Sequence, residues 1–298
     1  MLEDKLKNMT IPESELIITD EGAIYHLDVK PSEIAETVLT VGDPGRVAQV
    51  SKYFDTIEYK AEHREFVTHT GTYKGKRMSV VSTGIGTDNI DIVLNELDAL
   101  VNIDFKTRQV KEKHTQLTII RLGTSGALQK DIPVDSMVAS AYAIGLDNLP
   151  YFYKNNSFLD DNFSKQFMEH CHWDKRNSHP YWIPADEGLT NVFKKHGYKL
   201  GCTLTNVGFY GPQGRVLRLS IPNDDFHKHL QSFRYQDVAI TNLEMESSGI
   251  FYLSKVLGHR AISLNAIIAN RAAGTFSEDN IAAVENLIKK SLDIITEI

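Results

Sequence analysis

Three short apolar runs, each rich in β-branched residues and each ending in glycine, constrain this chain more than any other feature. They are Glu36-Thr37-Val38-Leu39-Thr40-Val41 before Gly42-Asp43-Pro44-Gly45-Arg46, Met78-Ser79-Val80-Val81-Ser82 before Thr83-Gly84-Ile85-Gly86-Thr87-Asp88, and Leu117-Thr118-Ile119-Ile120-Arg121-Leu122 before Gly123-Thr124-Ser125-Gly126. Short apolar runs bounded by turn residues read as buried strands. Three strands ending in glycine-rich turns gather backbone N–H groups at one sheet edge, where an anion can be cradled. None of the turns reads G-x-x-x-x-G-K-[ST], which argues against a P-loop hydrolase. After Gly84-Ile85-Gly86, Asn89 stands where a dinucleotide fingerprint needs its third glycine.

The rest of the chain reads as one α/β domain. Further strands are expected at Val67–Thr70, Thr203–Gly208, Asp237–Thr241 and Ala261–Ala269. Ile90, Val93, Leu97 and Leu100 share a helical face behind Asp88 as N-cap, and Ile250, Leu253 and Leu257 share another ending at Gly258. A C-terminal helix is expected with Ser277 as cap, Glu278 and Asp279 in its first turn, and Ile281, Val284, Ile288, Leu292 and Ile295 facing the core. Residues 1–20 read as a polar N-terminal arm and 21–298 as the domain. The charged run 104–116 reads as a surface loop or exposed helix, 147–184 as an elaborated peripheral segment. The polar 216–236 segment, with Asp224, Asp225 and His227, is a candidate lid.

The formal net charge of −7 argues against a general nucleic-acid or anionic-membrane surface, so an anionic substrate must be gripped by a few placed arginines. Two cysteines, Cys171 and Cys202, lack metal-ligand spacing and fit a reduced, cytoplasmic setting. His170 and His172 flank Cys171, but no second ligand pair follows at zinc-site spacing, so no metal is expected. The start Met1-Leu2-Glu3-Asp4-Lys5 lacks the apolar core of a signal peptide, and no run is long enough to span a membrane.

Asn242-Leu243-Glu244-Met245-Glu246-Ser247 places two carboxylates and a thioether where a strand hands over to a helix, a usual ligand position in open α/β sheets. An acid–base pair is one reading and helix capping the simpler one. Arg46, Arg64 and Arg121 adjoin glycine turns or apolar strands, and arginine suits bidentate phosphate binding. Gln213 and Arg215, two apart in a Gly-Pro turn, could read the carbonyl and N–H edge of a base, with Phe209 on its ring face. Taken alone, they are more simply the exposed residues of a turn.

Taken in order, Gly42 to Arg46, His63-Arg64-Glu65-Phe66, Ser82 to Gly86, Arg121 to Gly126, Phe209 to Arg215 and Glu244 to Ser247 resemble the nucleoside phosphorylase-I family, most closely its uridine-cleaving members. The resemblance implies a single domain with a central mixed, partly barrel-like β-sheet flanked by helices. It implies phosphorolysis, with uridine and phosphate giving uracil and ribose 1-phosphate, and no cofactor besides the phosphate co-substrate. By the same resemblance Gly42, Arg46, Arg121 and Thr124 hold phosphate, and a neighbouring subunit adds Arg64. Met245 and Glu246 hold the ribose, with His26 lent by the partner to the 5′-hydroxyl. Phe209, Gln213 and Arg215 bind the base, with Arg271 behind them. Asp43 and Glu244 are given supporting roles. A homo-oligomer, dimer or hexamer, with shared active sites follows.

Three departures stand out. Asn89 replaces a serine that helps bacterial members hold a monovalent cation, which argues against bound potassium. Gly211-Pro212 stands where many of them have Pro-Gly, and 104–116 and 147–184 are longer than usual. Rival readings are a purine or broad-specificity phosphorylase, a nucleosidase using water, and a non-catalytic nucleoside-binding protein. Against the purine enzyme, Asn270-Arg271 occupies the region where such an enzyme carries an aspartate that protonates the base.

Overall fold

Strand length explains the architecture. In a computed structural model that describes residues 9–298, the strand β1 (Thr37–Val41) has five residues and its parallel neighbour β7 (Thr118–Ala127) has ten. Their register runs from Thr37 opposite Thr118 to Thr40 opposite Arg121. Beyond Arg121, β7 outruns β1 and turns to pair antiparallel with β12 (Val238–Glu244), Gly126 opposite Leu243. The sheet thereby closes on itself into a ring of five strands, formed by β7, β12, β8 (Met137–Gly145), β10 (Lys199–Thr205) and β13 (Arg260–Asn270). Next to β1, β4 (Lys76–Ser82), β3 (Phe66–Tyr73) and β2 (Thr56–His63) continue the sheet outward. A crevice is left where β1 and β4 stop and β7 continues, the kind of discontinuity at which α/β sheets bind ligands.

Helices cover the sheet on both sides. On one, α2 (Thr87–Asn102) packs Ile90, Val93, Leu94 and Leu97 against Ile250 and Leu253 of α6 (Ser247–Leu257). On the other lie α1 (Pro44–Ser51), α4 (Glu187–Lys195) and α7 (Asn280–Ile295), the last burying Leu287, Ile288 and Leu292 beside Phe193 and Val47. A third cluster joins α3 (Asp161–His170), β9 (Tyr181–Pro184) and α5 (Phe226–Ser232) through Phe163, Phe167, Trp182, Phe226 and Leu230. Truncating one such fully buried side chain to alanine costs ~2–5 kcal/mol. Seven α-helices are found among the described residues, and none is long and apolar enough to cross a membrane.

The expected elements need several corrections. Gly123-Thr124-Ser125-Gly126 is not a turn but the second half of β7. Gly86, not Asp88, precedes the first residue of α2, and Asp88 lies in its first turn. Asp279 caps α7, its carboxylate accepting the Ala282 N–H, whereas Ser277 is bonded to Asp135. Ile281 is 78% exposed and Leu287 takes its place in the core, because the helix starts later than the sequence pattern implied. Residues 104–116 hold no helix but a short hairpin, β5 (Ile103–Asp104) with β6 (Gln109–Val110).

The 147–184 segment carries α3 and β9, which adds to the sheet beside β8. The second half of the candidate lid is packed, with Phe226 and Leu230 buried and β11 (Arg234–Tyr235) paired with β12, while Val216, Leu217 and Leu219 before it are exposed. Of the arm expected over 1–20, residues 1–8, including Met1-Leu2-Glu3-Asp4-Lys5, lie outside the described residues. Ile18 bridges to Ile24, and the Ile11 N–H bonds Arg108.

Candidate active site

The crevice is a cavity of about 760 Å³ whose lining includes Gly42, Arg46, Arg121, Thr124, Phe209, Gln213, Arg215, Met245 and Glu246. Nine of the twelve residues assigned from the resemblance thus meet there, from four separate stretches of chain. Gly42 is presented by the end of β1 as its chain enters α1, which starts at Pro44 with Asp43 as N-cap. The Asp43 carboxylate accepts the Gly45 N–H at 2.9 Å, which fits its supporting role.

Arg121 lies at the floor, 5% exposed. Its guanidinium can fold back over its own strand because position 123 is glycine: a Cβ there would stand 1.8 Å from Nη1. Nη2 donates to Glu246 Oε2 at 2.5 Å and Nη1 to Asn265 Oδ1 at 3.0 Å, and Glu244 Oε2 lies 3.4 Å from Nη2. Burial by itself would lower the Arg121 pKa, but Glu244 and Glu246 outweigh it and hold the group above its usual value. Arg46, whose Nη1 lies 3.5 Å from Leu122 O, is instead lowered, by burial first and then by Arg121. Two cations near enough to depress one of them make a focused positive site, suited to an anion.

The two glutamates have separate duties. Glu244 ends β12, and its Oε2 accepts the N–H groups of Glu246 and Ser247 at 3.0 and 2.9 Å, capping α6; its Oε1 accepts from Thr205. Burial raises its pKa, with Arg121 opposing. Glu246 faces the cavity, holding Arg121 with Oε2 and accepting the Gly86 N–H at 3.0 Å with Oε1. A matched acid–base pair is therefore not what the strand-to-helix junction builds.

Gln213 is 2% exposed, so the simpler reading of it as an exposed turn residue is set aside. Arg215 donates to its Oε1 and to Phe209 O, and lies 3.6 Å over the Phe209 ring. Arg271, just past β13, donates to Gln213 O at 2.5 Å and to Gln213 Oε1 at 3.3 Å. It lies behind Gln213 rather than in the cavity lining, and burial, then Arg215, lowers its pKa to about 10. Both side-chain amide oxygen contacts come from cations, which leaves the Gln213 amino group as its free end.

His26 and Arg64 are not in this chain's cavity. They sit together elsewhere: the Tyr25 ring lies 4.9 Å from His26 and 6.0 Å from the Arg64 guanidinium, and His26 Nδ1 bonds Glu96 at 2.7 Å. Arg64 occupies the tight β2–β3 turn with φ of 57°. Sequence reasoning missed Asn265, which anchors Arg121, and His227, which bonds Arg271. Asn265 lies inside an apolar run where a buried amide is a signal of a polar network. At Asn89, the position expected to bear on a monovalent cation, the side-chain amide donates to Glu65 Oε1 at 3.2 Å.

Two other places offer less. Asp98, His114 and His259 cluster, but the Leu117 N–H donates to His259 Nδ1 at 3.1 Å, which leaves the ring proton on the Nε2 that faces Asp98. A cavity of about 710 Å³ at the opposite ends of β10 and β12 is lined by Lys199 and Asp131, which pair with each other, and by none of the residues assigned to phosphate, ribose or base.

A mixed sheet closed into a five-stranded ring, with an arginine–glutamate floor and a glutamine–arginine wall, is the α/β fold of the nucleoside phosphorylases. The sequence model of the Phosphorylase superfamily matches residues 36–298, and the chain belongs to that family. It is a pentosyltransferase of the nucleoside phosphorylase type. It is 30% identical over 284 residues to the uridine phosphorylase of Thermococcus kodakarensis, covering 94% of this chain and 89% of that one. It is 27% identical over 287 residues to a DeoD-type purine nucleoside phosphorylase of an Exiguobacterium species, covering 92% and 98%. Among solved structures it superposes on the Trypanosoma brucei nucleoside phosphorylase described as showing uridine phosphorylase activity, with a TM-score of 0.83, 30% identity, and coverage of 95% and 100%.

Proposed function

We propose that this protein cleaves a pyrimidine nucleoside with phosphate, uridine giving uracil and ribose 1-phosphate. The observation that carries this reading is the convergence of Arg46 and Arg121, Glu246, and Gln213 with Arg215 on one cavity. Arg46, Arg121 and Thr124 with the Gly42 backbone grip phosphate, the only co-substrate. Glu246 accepts from the ribose hydroxyls, and Met245 lies against the sugar. As the C–N bond breaks, positive charge grows on the sugar and negative charge on the departing base. Phosphate stabilises the first and attacks it, while Arg215 and Gln213 stabilise the second by preorganised hydrogen bonds. Glu246 moves no proton.

The second reading, a purine or broad-specificity phosphorylase, is favoured by the DeoD-type relatives. Against it, the Asn270 side chain is committed to backbone, donating to Gln129 O and Ile132 O and accepting the Ala273 N–H. That leaves no carboxylic acid there to protonate a purine.

The reading includes a homo-oligomer in which the partner supplies His26 and Arg64. Ile85, Phe209 and Phe276 line the cavity yet are 67%, 51% and 60% exposed, an apolar rim that a second copy would cover. Buried free thiols at Cys171 and Cys202 suit a reducing cytoplasm. The test is base release from uridine, thymidine, inosine and adenosine, with and without phosphate. Fast, phosphate-dependent release from uridine supports the proposal. Faster release from inosine favours the purine reading, release without phosphate a nucleosidase, and no release a binding protein.

A further inference from the structure

Arg271 is a half-buried cation that forms no salt bridge among the described residues, and Arg215 forms none either. Both donate to Gln213 Oε1. Two like charges around one amide oxygen repel, so something must hold Arg271 in place without cancelling its charge. That group is His227, the second residue of α5. Arg271 Nη1 lies 2.8 Å from His227 Nε2. A guanidinium only donates, so Nε2 must present its lone pair, and the ring is neutral with its proton on Nδ1. Gly214, at φ of 69°, closes the base-site turn against the ring: a Cβ there would stand 2.7 Å from Nε2. The helix, the turn and the strand end thus meet at one imidazole.

We infer that His227 is a positioning residue of the base subsite: as the Nδ1–H tautomer it fixes Arg271 against Gln213, and protonation of its ring releases that arginine. The inference rests on the assignment of Gln213 and Arg215 to the base. A protonated ring would lose the acceptor and add a third positive charge beside Arg271 and Arg215. Those two arginines are the charged groups acting on the ring from the strand end and the turn, and on α5 itself Asp225 is paired with Lys228. Burial, then Arg271, lowers the His227 pKa below its ordinary 6.5, so the neutral form persists below that pH and is lost only on further acidification. The Nδ1–H of that tautomer is buried without a partner, a cost that the 2.8 Å contact of Nε2 with Arg271 must offset.

The test uses the full-length enzyme and two variants. His227→Gln keeps an acceptor that does not titrate, and His227→Leu removes it. The expected result is a KM for uridine raised roughly tenfold or more in the leucine variant, about one hydrogen bond's worth, with the phosphate KM unchanged. The glutamine variant should restore most of the affinity and lose the acid-side fall of kcat/KM. Wild-type uridine KM in the leucine variant, or equal losses in both variants with both substrates, would overturn the inference. Should the wild-type enzyme not cleave uridine, the functional reading fails separately. The ring nitrogen chemical shifts of His227 then decide: an Nδ1–H tautomer supports the assignment and an Nε2–H tautomer overturns it.

Discussion

Arg121 and Glu246 form a buried ion pair, Nη2 to Oε2 at 2.5 Å, which couples the proposed phosphate and ribose subsites electrostatically. Glu246→Ala removes the ribose contact and frees charge on Arg121, which keeps Glu244 at 3.4 Å. Losing a charge-assisted contact of ~1.5–3 kcal/mol corresponds to roughly 10–100-fold. We expect kcat/KM for nucleoside to fall by that range or more while the phosphate KM stays level or drops. A phosphate KM that rises as steeply as the nucleoside KM would show that Glu246 does not work through the sugar.

Gly123 is needed for that pair, since a Cβ would occupy the space of the Arg121 guanidinium. Gly123→Ala should displace Arg121 and leave Glu246 unpaired. Breaking a buried pair costs ~3–5 kcal/mol, so denaturant unfolding should show a loss of that order together with loss of phosphate saturation. Unaltered phosphate kinetics in the folded variant would remove Arg121 from the anion site.

The sequence carried the site further than it carried the elements around it. Glycine turns, arginines and the Glu244–Ser247 stretch could be aligned with a family because they are contiguous. The ring closure could not be read, since it depends on β7 outrunning β1 and pairing with β12, a contact between distant residues. The two glutamates illustrate the difference. Helix capping and ligand binding were rival readings of one stretch; both glutamates line the cavity, but Glu244 caps α6 whereas Glu246 holds Arg121 and the Gly86 N–H. Only the bend at the strand end, invisible in composition, separates them. Within 216–236 the average polarity hid two parts, the exposed Val216, Leu217 and Leu219 and the helix α5 with Phe226 and Leu230 buried.

Arg215→Ala should lower kcat far more than it raises KM, by about 100–1000-fold, as for removal of one preorganised donor. The partner mechanism can be tested with the same variant. Arg215→Ala and Arg64→Ala should each be inactive, and their exchanged mixture should regain about a quarter of wild-type activity if the protein is a dimer. No recovery after verified subunit exchange would place Arg64 in its own chain's site.

Asp147 is half-buried, accepts from Ser248, Tyr181 and the Leu149 N–H, and has its pKa raised by the desolvation of its carboxyl, which those bonds only partly oppose. A carboxyl whose folded pKa exceeds its unfolded value of 3.8 contributes stability below that value and loses it as pH rises through the folded pKa. Asp147→Asn does not titrate. Its melting temperature relative to wild type should therefore improve as pH rises above about 4. A difference that moves the other way would contradict the assigned shift.

The central claim is that phosphate, held by Arg46 and Arg121, is the nucleophile on a pyrimidine nucleoside. Quantifying uracil and ribose 1-phosphate from uridine, with phosphate present and omitted, tests it most directly. The account predicts equal amounts of both products with phosphate and neither without it. Uracil released without phosphate, or without matching ribose 1-phosphate, would contradict it.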